Sequence, residues 1–304
     1  MSESVIPHRR QQEAVNAYFQ SQSLFWKDIY ASGGVYAEIH RGRHTAVLAW
    51  IDGLALAPGS PALEIGCGAG FMAIALAQSG LCVRAIDATE AMVEQARRHA
   101  AESGITDLLS VDVGDVYALA FEDESFELVL AIGVIPWLGQ VELAIQEMVR
   151  VTRPGGYIIF TADNRARLNL LLDPWMNPAL APLRRRVKAV LEVVGLRRRS
   201  SEETGTTLHN FHDRRFIDEI LANAQLVKTK GMTLGFGPFS LQGRKVLPEA
   251  LSIALHHLLQ RLADWNIPGF RSTGAQYLVL ARKSVSQPRV QSTNSEQPIS
   301  DTTE

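Results

Sequence analysis

The chain has 304 residues, of which 46% are hydrophobic and 20% charged, and its net charge is −2. That balance supplies a sizeable core and excludes any global pull toward nucleic acid or acidic membranes. Cys67 and Cys82 are the only cysteines, so no disulfide framework holds the fold and a reducing cytoplasm is expected. The opening MSESVIPHRR has no apolar h-region, and no later run is long enough to span a bilayer.

In chain order, residues 10–30 and 38–54 show apolar positions at helical spacing, with SGG (32–34) as the loop between them. From residue 62 strand-like and helix-like runs alternate. ALEI is a short buried strand and GFMAIALAQ a helix; LCVRAID is the second strand, with Cys82 expected in the core. TEAMVEQARRHAAES follows as a helix with Thr89 as its N-cap. LLSVDVGD and FELVLAIG give strands three and four; VELAIQEMVRVT is a helix stopped by RPGG, and YIIFTAD is strand five. This rhythm predicts an α/β fold with a doubly wound, mostly parallel sheet.

After Asp163 the rhythm breaks. Residues 164–210 form an Arg-rich, Pro-interrupted insertion with one helix around 181–195, and FIDEILANA and LVKTKGMTL resume as helix and strand. A second insertion, about 236–272, carries the amphipathic PEALSIALHHLLQRLADW, and QYLVLARK (276–283) is the last strand. The expectation is a single domain over 1–283. Its core would be about 55–163 with 211–235 and 273–283, and a helical cap would come from 8–54, 164–210 and 236–272. Residues 284–304 read as a disordered polar tail.

The glycine loop ALEIGCGAGF (62–71) lies at the first strand-to-helix turn, a nucleotide site in a doubly wound sheet. A dinucleotide fingerprint needs glycine at 66, 68 and 71, but position 71 is Phe71 and the third glycine comes early, at Gly70. EIGCGAG, then AIDATEAM, GDV and RPGG, resembles the class I S-adenosylmethionine-dependent methyltransferases over about residues 60–163. The resemblance implies a seven-stranded Rossmann-like sheet and S-adenosyl-L-methionine as cofactor. It implies Gly66, Cys67 and Gly68 as the loop around it and Glu64 beside the methionine ammonium. Asp87, followed by Ala88, would meet the ribose hydroxyls, and Asp115 with Val116 the adenine. Ile132 would line the methionine side. Cys67 reads as a small filler and Met92 as a residue nearer the core than the cofactor.

Upstream, YFQSQSLFWKDIYASGGVYAEIHRGRH (18–44) is similar to the N-terminal region of magnesium-protoporphyrin O-methyltransferases. That likeness implies a lid over the cofactor, with Tyr30, Tyr36, His40, Arg43 and His44 as candidates; Tyr36 is the one expected to touch the cofactor. The loop after strand four, GVIPWL (133–138), has Pro136 and Trp137 where that family carries a His. The likeness therefore implies a shared lid and an oxygen acceptor, not a shared substrate.

The function expected is O-methylation of a small molecule with an apolar body. Methylation of carbon or nitrogen, or a non-catalytic cofactor-binding protein, are the alternatives. A base for a hydroxyl acceptor is sought at His209 and His212 in LHNFH, at His40 or His44, or at Asp163 and Asn164. His40 and His44 have the i,i+4 spacing of metal ligands, but no partner of convincing spacing joins them, and no metal is expected. The triplets at 184–186 and 197–199 admit three readings: solvated surface, a clamp for an anionic acceptor, or a patch for peripheral contact with lipid headgroups. The acceptor is expected to be lipophilic or anionic, under a greasy roof from LLLDPW and GFGPFSL, and no nucleic acid is expected.

Overall fold

The computed structural model describes residues 5–22, 26, 29–30, 32–174, 177–193, 209–241 and 244–285. The triplet at 197–199 and nearly all of the expected tail lie outside the described residues. Seven strands form one sheet: β1 (Pro61–Ile65), β2 (Cys82–Asp87), β3 (Leu109–Val113), β4 (Phe126–Ala131), β5 (Thr152–Asp163), β6 (Leu226–Leu234) and β7 (Gln276–Lys283). Their order is β3-β2-β1-β4-β5-β7-β6. Pairing is parallel from β3 across to β5, and β7 runs antiparallel to both β5 and β6.

Alternation along each strand explains why both faces are covered. In β4, Leu128 and Leu130 pack on one face, while Val129 and Ala131 pack on the other. The first face is covered by α2 (Val35–Asp52), α3 (Phe71–Gln78) and α4 (Glu90–Glu102) through Val47, Met72 and Val93. The second is covered by α5 (Val141–Val151) and α8 (Arg214–Asn223) through Ile145, Met148 and Ile217. Strands buried on both sides read as continuous apolar runs, which is how these were found. Outside the sheet, α1 (Val5–Ser21), α6 (Leu168–Leu172), α7 (Ala181–Val193) and α9 (Glu249–Asp264) belong to the segments before β1, after β5 and after β6. A small separate core of Phe236, Leu259 and Ala263 holds α9 down. No helix among the described residues is long and apolar enough to cross a membrane.

Four local expectations are corrected. RPGG does not interrupt the chain between helix and strand: β5 starts at Thr152, and a bulge opposite Phe126 and Leu128 absorbs the extra residues. Cys82 is exposed, because the first and third positions of β2 face outward rather than into the core. Thr89 occupies the N-cap position of α4, but its hydroxyl donates to Asp87 Oδ1 (2.9 Å) instead of capping the helix. The first N-terminal helix ends at Ser21, well short of residue 30.

Asn164, sought as a base, is wholly buried and structural. Its Nδ2 donates to the carbonyls of Ser272 (2.9 Å) and Gly274 (2.8 Å), and its Oδ1 accepts from Ala166 N–H (2.8 Å). The residue thus ties the end of β5 to the turn that enters β7. Replacing it with alanine leaves the buried Gly274 carbonyl and the half-buried Ser272 carbonyl and Ala166 N–H without this partner, so Asn164→Ala should cost about 2–4 kcal/mol. The urea midpoint of the variant measures this, and an unchanged midpoint would contradict the role.

Candidate active site

A cavity of about 810 Å³ opens at the carboxyl ends of the parallel strands. Each of the five parallel strands brings a residue to it: Glu64 is next to last in β1, Asp87 ends β2, Asp115 follows β3, Gly133 follows β4 and Asp163 ends β5. Parallel strands place all of these ends on one edge, and the sheet order reverses between β1 and β4, where a crevice must open.

One half of the cavity is built on the glycine loop before α3. Gly66 has φ +66°, and a Cβ there would strike Val134 Cγ2; Gly68 has φ +53° and open space where a Cβ would point. The loop thereby leaves a cradle of backbone at the start of a helix, whose first N–H groups have no partner within the helix. Asp87 locks the loop, accepting from Gly68 N–H at Oδ2 (3.0 Å) and from Thr89 N–H at Oδ1 (3.0 Å). Burial raises its pKa, and these hydrogen bonds oppose the rise. Asp115 uses Oδ1 to accept from Tyr117 N–H (2.9 Å), which leaves its second oxygen free of that turn.

Two buried ionisable groups in this cavity lack oppositely charged partners of their own. Glu64 is 4% exposed; burial pushes its pKa up to about 8, and Oε2 has no hydrogen-bond partner. Arg43 is 7% exposed; it donates to His40 Nδ1 (2.9 Å) and Gln276 Oε1 (3.2 Å), while Nε has no partner. No carboxylate among the described residues comes within ion-pair distance of that guanidinium. Its Nη1 lies 3.2 Å from where a Cβ on Gly133 would sit. A buried cation without a counter-charge costs several kcal/mol, and a carboxyl kept neutral by burial ionises beside a cation, so a ligand that brings both a cation and an anion would complement the two.

The other half is walled by aromatic rings. Trp137 stacks on Tyr18 (5.6 Å between centroids) and meets Phe19 and His209 edge-on at 4.9 and 4.7 Å. Tyr117 ties α1 to the loop after β4: its hydroxyl donates to Gln12 Oε1 (3.2 Å) and accepts from Gly139 N–H (3.0 Å). The segment 209–212 is pinned beside it, with Asn210 N–H donating to the Pro136 carbonyl (2.6 Å) and Asn210 Nδ2 to that of Leu138 (2.8 Å). His209 Nε2 then lies 3.3 Å from Asp163 Oδ2, and Gln276 Nε2 donates to Asp163 Oδ1 (2.8 Å).

All the residues expected around a cofactor line the cavity: Tyr36, Glu64, Gly66, Cys67, Gly68, Asp87, Ala88, Asp115, Val116 and Ile132. Met92 lines it too, although it is almost wholly buried. Cys67 is buried, and burial holds its thiol well above the usual range, so it is no nucleophile.

Of the four histidines sought as bases, His209 and His44 keep that possibility: both line the cavity, His44 Nε2 has no hydrogen-bond partner, and His209 is the one set against a carboxylate. His40 lines the cavity, but its Nδ1 lone pair accepts from Arg43, and burial drives its pKa down to about 3. A neutral imidazole so engaged carries its proton on Nε2 and has no lone pair left for another. His212 does not line the cavity; its ring stacks on Phe216 at 4.5 Å. Among the described residues no cluster of three metal-ligating side chains forms. Arg184, Arg185 and Arg186 do not line the cavity either, and Arg184 donates to the carbonyls of Pro174 and Asn177, so this triplet is no clamp inside it. Sequence reasoning missed Arg167 altogether and took Arg43 only as part of a lid. For Arg43 a signal existed, since His40 and Arg43 stand three apart on one helix face.

A family model described as "Methyltransferase domain" matches residues 63–160. Over 157 residues the chain is 36% identical to the ubiquinone biosynthesis O-methyltransferase of Paracidovorax citrulli, covering 51% of this chain and 64% of that protein. Over 118 residues it is 30% identical to the malonyl-[acyl-carrier protein] O-methyltransferase of Serratia marcescens, covering 39% and 44%. The chain thus spans less than two thirds of the curated relatives it matches. The magnesium protoporphyrin IX methyltransferase of Synechocystis PCC 6803, solved with bound SAH, shares the fold: TM-score 0.59 at 17% identity, over 90% of this chain and 99% of that one.

The Arg43 contact has a direct spectroscopic consequence. His40 should stay neutral, with its proton on Nε2, throughout a titration from about pH 8 to 5, because its pKa is about 3. Imidazole nitrogen shifts in a labelled protein follow this, and a His40 midpoint near the ordinary histidine value would refute it.

Proposed function

We propose that this chain, a member of the class I S-adenosylmethionine-dependent methyltransferase family, methylates an oxygen of a small molecule with an apolar body. The observation that carries the reading is a buried carboxyl with an unpartnered oxygen, Glu64, and a buried guanidinium with no counter-charge, Arg43, in one cavity. S-adenosyl-L-methionine fits them: its amino acid end brings one ammonium and one carboxylate, and when bound it supplies a methyl group on a sulfonium.

Glu64 would hold the ammonium and Arg43 the carboxylate, with His40 orienting the Arg43 guanidinium. Asp87 would accept from the ribose hydroxyls through lone pairs that Gly68 and Thr89 leave open, since a carboxylate has about four acceptor sites. Asp115 and Val116 would meet the adenine. The chain's own work in such a displacement is alignment and exclusion of water, and the Tyr18–Trp137 stack with Phe19 supports both. His209 is the base of this reading. Asp163 would keep a proton on Nε2, leaving Nδ1 to take the proton of a hydroxyl acceptor, as a base oriented by a carboxylate does. The aromatic wall supports a lipophilic acceptor. We place the reaction in the cytoplasm, in keeping with two free cysteines. Peripheral contact with an anionic surface would involve the exposed Arg185 and Arg186, beside Leu183 and Val187 on α7.

Two measurements bear on the two halves. With its pKa near 8 in the free protein, Glu64 is protonated at about pH 7, and a neighbouring ammonium favours its ionised form. Binding of S-adenosylhomocysteine should therefore release a proton, and affinity should rise with pH until about pH 8 and fall below it. Calorimetry in buffers of different ionisation enthalpy reads that proton, and Glu64→Gln should abolish its release and weaken binding. For the acceptor half, His209→Ala should lower turnover of phenolic acceptors by about a hundred- to ten-thousandfold while leaving S-adenosylhomocysteine affinity intact. Unchanged turnover would remove His209 as the base.

A further inference from the structure

The acceptor half contains one more cation, and neither cofactor nor base needs it. Arg167 follows the end of β5 and lines the cavity together with Asn169. Its guanidinium lies over the face of the Phe211 ring, 4.5 Å from the centroid. A cation–π contact of this kind holds the group while using none of its N–H donors in hydrogen bonds. Among the described residues the nearest carboxylate oxygen, Asp163 Oδ2, is 3.9 Å from Nη1, at the outer limit of an ion pair. Asp163 is also claimed by His209 and Gln276. Nε of Arg167 is buried and has no hydrogen-bond partner. Burial lowers its pKa, with Asp163 opposing only in part.

The geometry points to Arg167 as the receptor for an oxyanion, a carboxylate or phosphate, carried by the methyl acceptor. A guanidinium seated over an aromatic ring, with Nε unpartnered, offers a fork of donors that matches the planar oxygens of a carboxylate or two oxygens of a phosphate. The aromatic rings of Tyr18, Phe19 and Trp137 wall the same cavity, so the acceptor carries its anion on an apolar, ring-bearing body. The assignment rests on the methyltransferase reading, because it takes Arg43 to be occupied by the cofactor's own carboxylate. It deepens that reading by naming what distinguishes one apolar acceptor from another.

The test uses the full chain saturated with S-adenosylhomocysteine. Naphthoate, naphthyl phosphate and the neutral naphthamide are titrated in turn, onto the wild type and onto Arg167→Leu and Arg167→Lys. At least one of the two anions should bind the wild type about tenfold or more tighter than the amide, as expected for hydrogen bonds to a charged group. The preferred anion then tells carboxylate from phosphate. Arg167→Leu should abolish the preference, Arg167→Lys should restore part of it, and S-adenosylhomocysteine affinity should stay within about twofold in both, a difference well under one hydrogen bond. Equal binding of anions and amide by the wild type overturns the assignment, as does a preference that survives Arg167→Leu. Loss of S-adenosylhomocysteine binding in Arg167→Leu, with its amide and anion affinities unchanged, moves Arg167 to the cofactor and also overturns it. A wild type that binds no S-adenosylhomocysteine defeats the methyltransferase reading itself, a separate result.

Discussion

Parallel pairing is the constraint on which everything else rests. A strand that must re-enter the sheet in the same direction has to cross over on a helix, so every outgoing loop falls on one edge. Here that edge gathers Glu64, Asp87, Asp115, Gly133 and Asp163 from five strands. These residues are scattered over about a third of the chain and would share no local structure otherwise. The reversal of order between β1 and β4 then keeps two of the crossovers apart, and the cavity is what remains between them.

The charges lining that edge are arranged in a particular sequence. Glu64 and Arg43 come from different elements and neither neutralises the other, although both are deeply buried. Burial without a partner is a standing cost to the folded chain, and such costs persist where a ligand offsets them. Farther out, Asp163 is shared among His209, Gln276 and Arg167. Gln276 connects the two zones, since its amide accepts from Arg43 and donates to Asp163. A change of charge at either end therefore meets the other through one side chain.

Much of the fold was legible in the sequence, for simple reasons. Strands buried on both faces are apolar throughout, and the helices between them end at glycines such as Gly80 and Gly104, so β1 to β5 could be placed within a few residues. The glycine loop was legible because Gly66 and Gly68 need conformations that side chains resist. What escaped depended on who faces whom across the chain. Cys82 looked like core because its neighbours are apolar, yet alternation turns it outward. His40 looked like a base because histidine so often is one, until Arg43 one turn later was seen to hold its lone pair. Arg167 lies in the Arg-rich insertion with nothing local to single it out, and only the placement of Phe211 and Asp163 does so. Trp137 likewise acquired meaning only when α1 brought Tyr18 and Phe19 against it.

The last strand enters the sheet between two older ones. β7 pairs with β5 on one side and β6 on the other, so β6 has no neighbour until the final stretch of the chain arrives. During synthesis the growing polypeptide must therefore carry two open hydrogen-bonding edges until residue 276 and those after it leave the ribosome. Open edges of this kind invite pairing with other chains. The same strand begins with Gln276, so sealing the sheet and joining Arg43 to Asp163 are one event. A nascent chain stopped short of β7 leaves β5 and β6 unpaired on those edges and lacks the side chain that joins the two zones of the cavity.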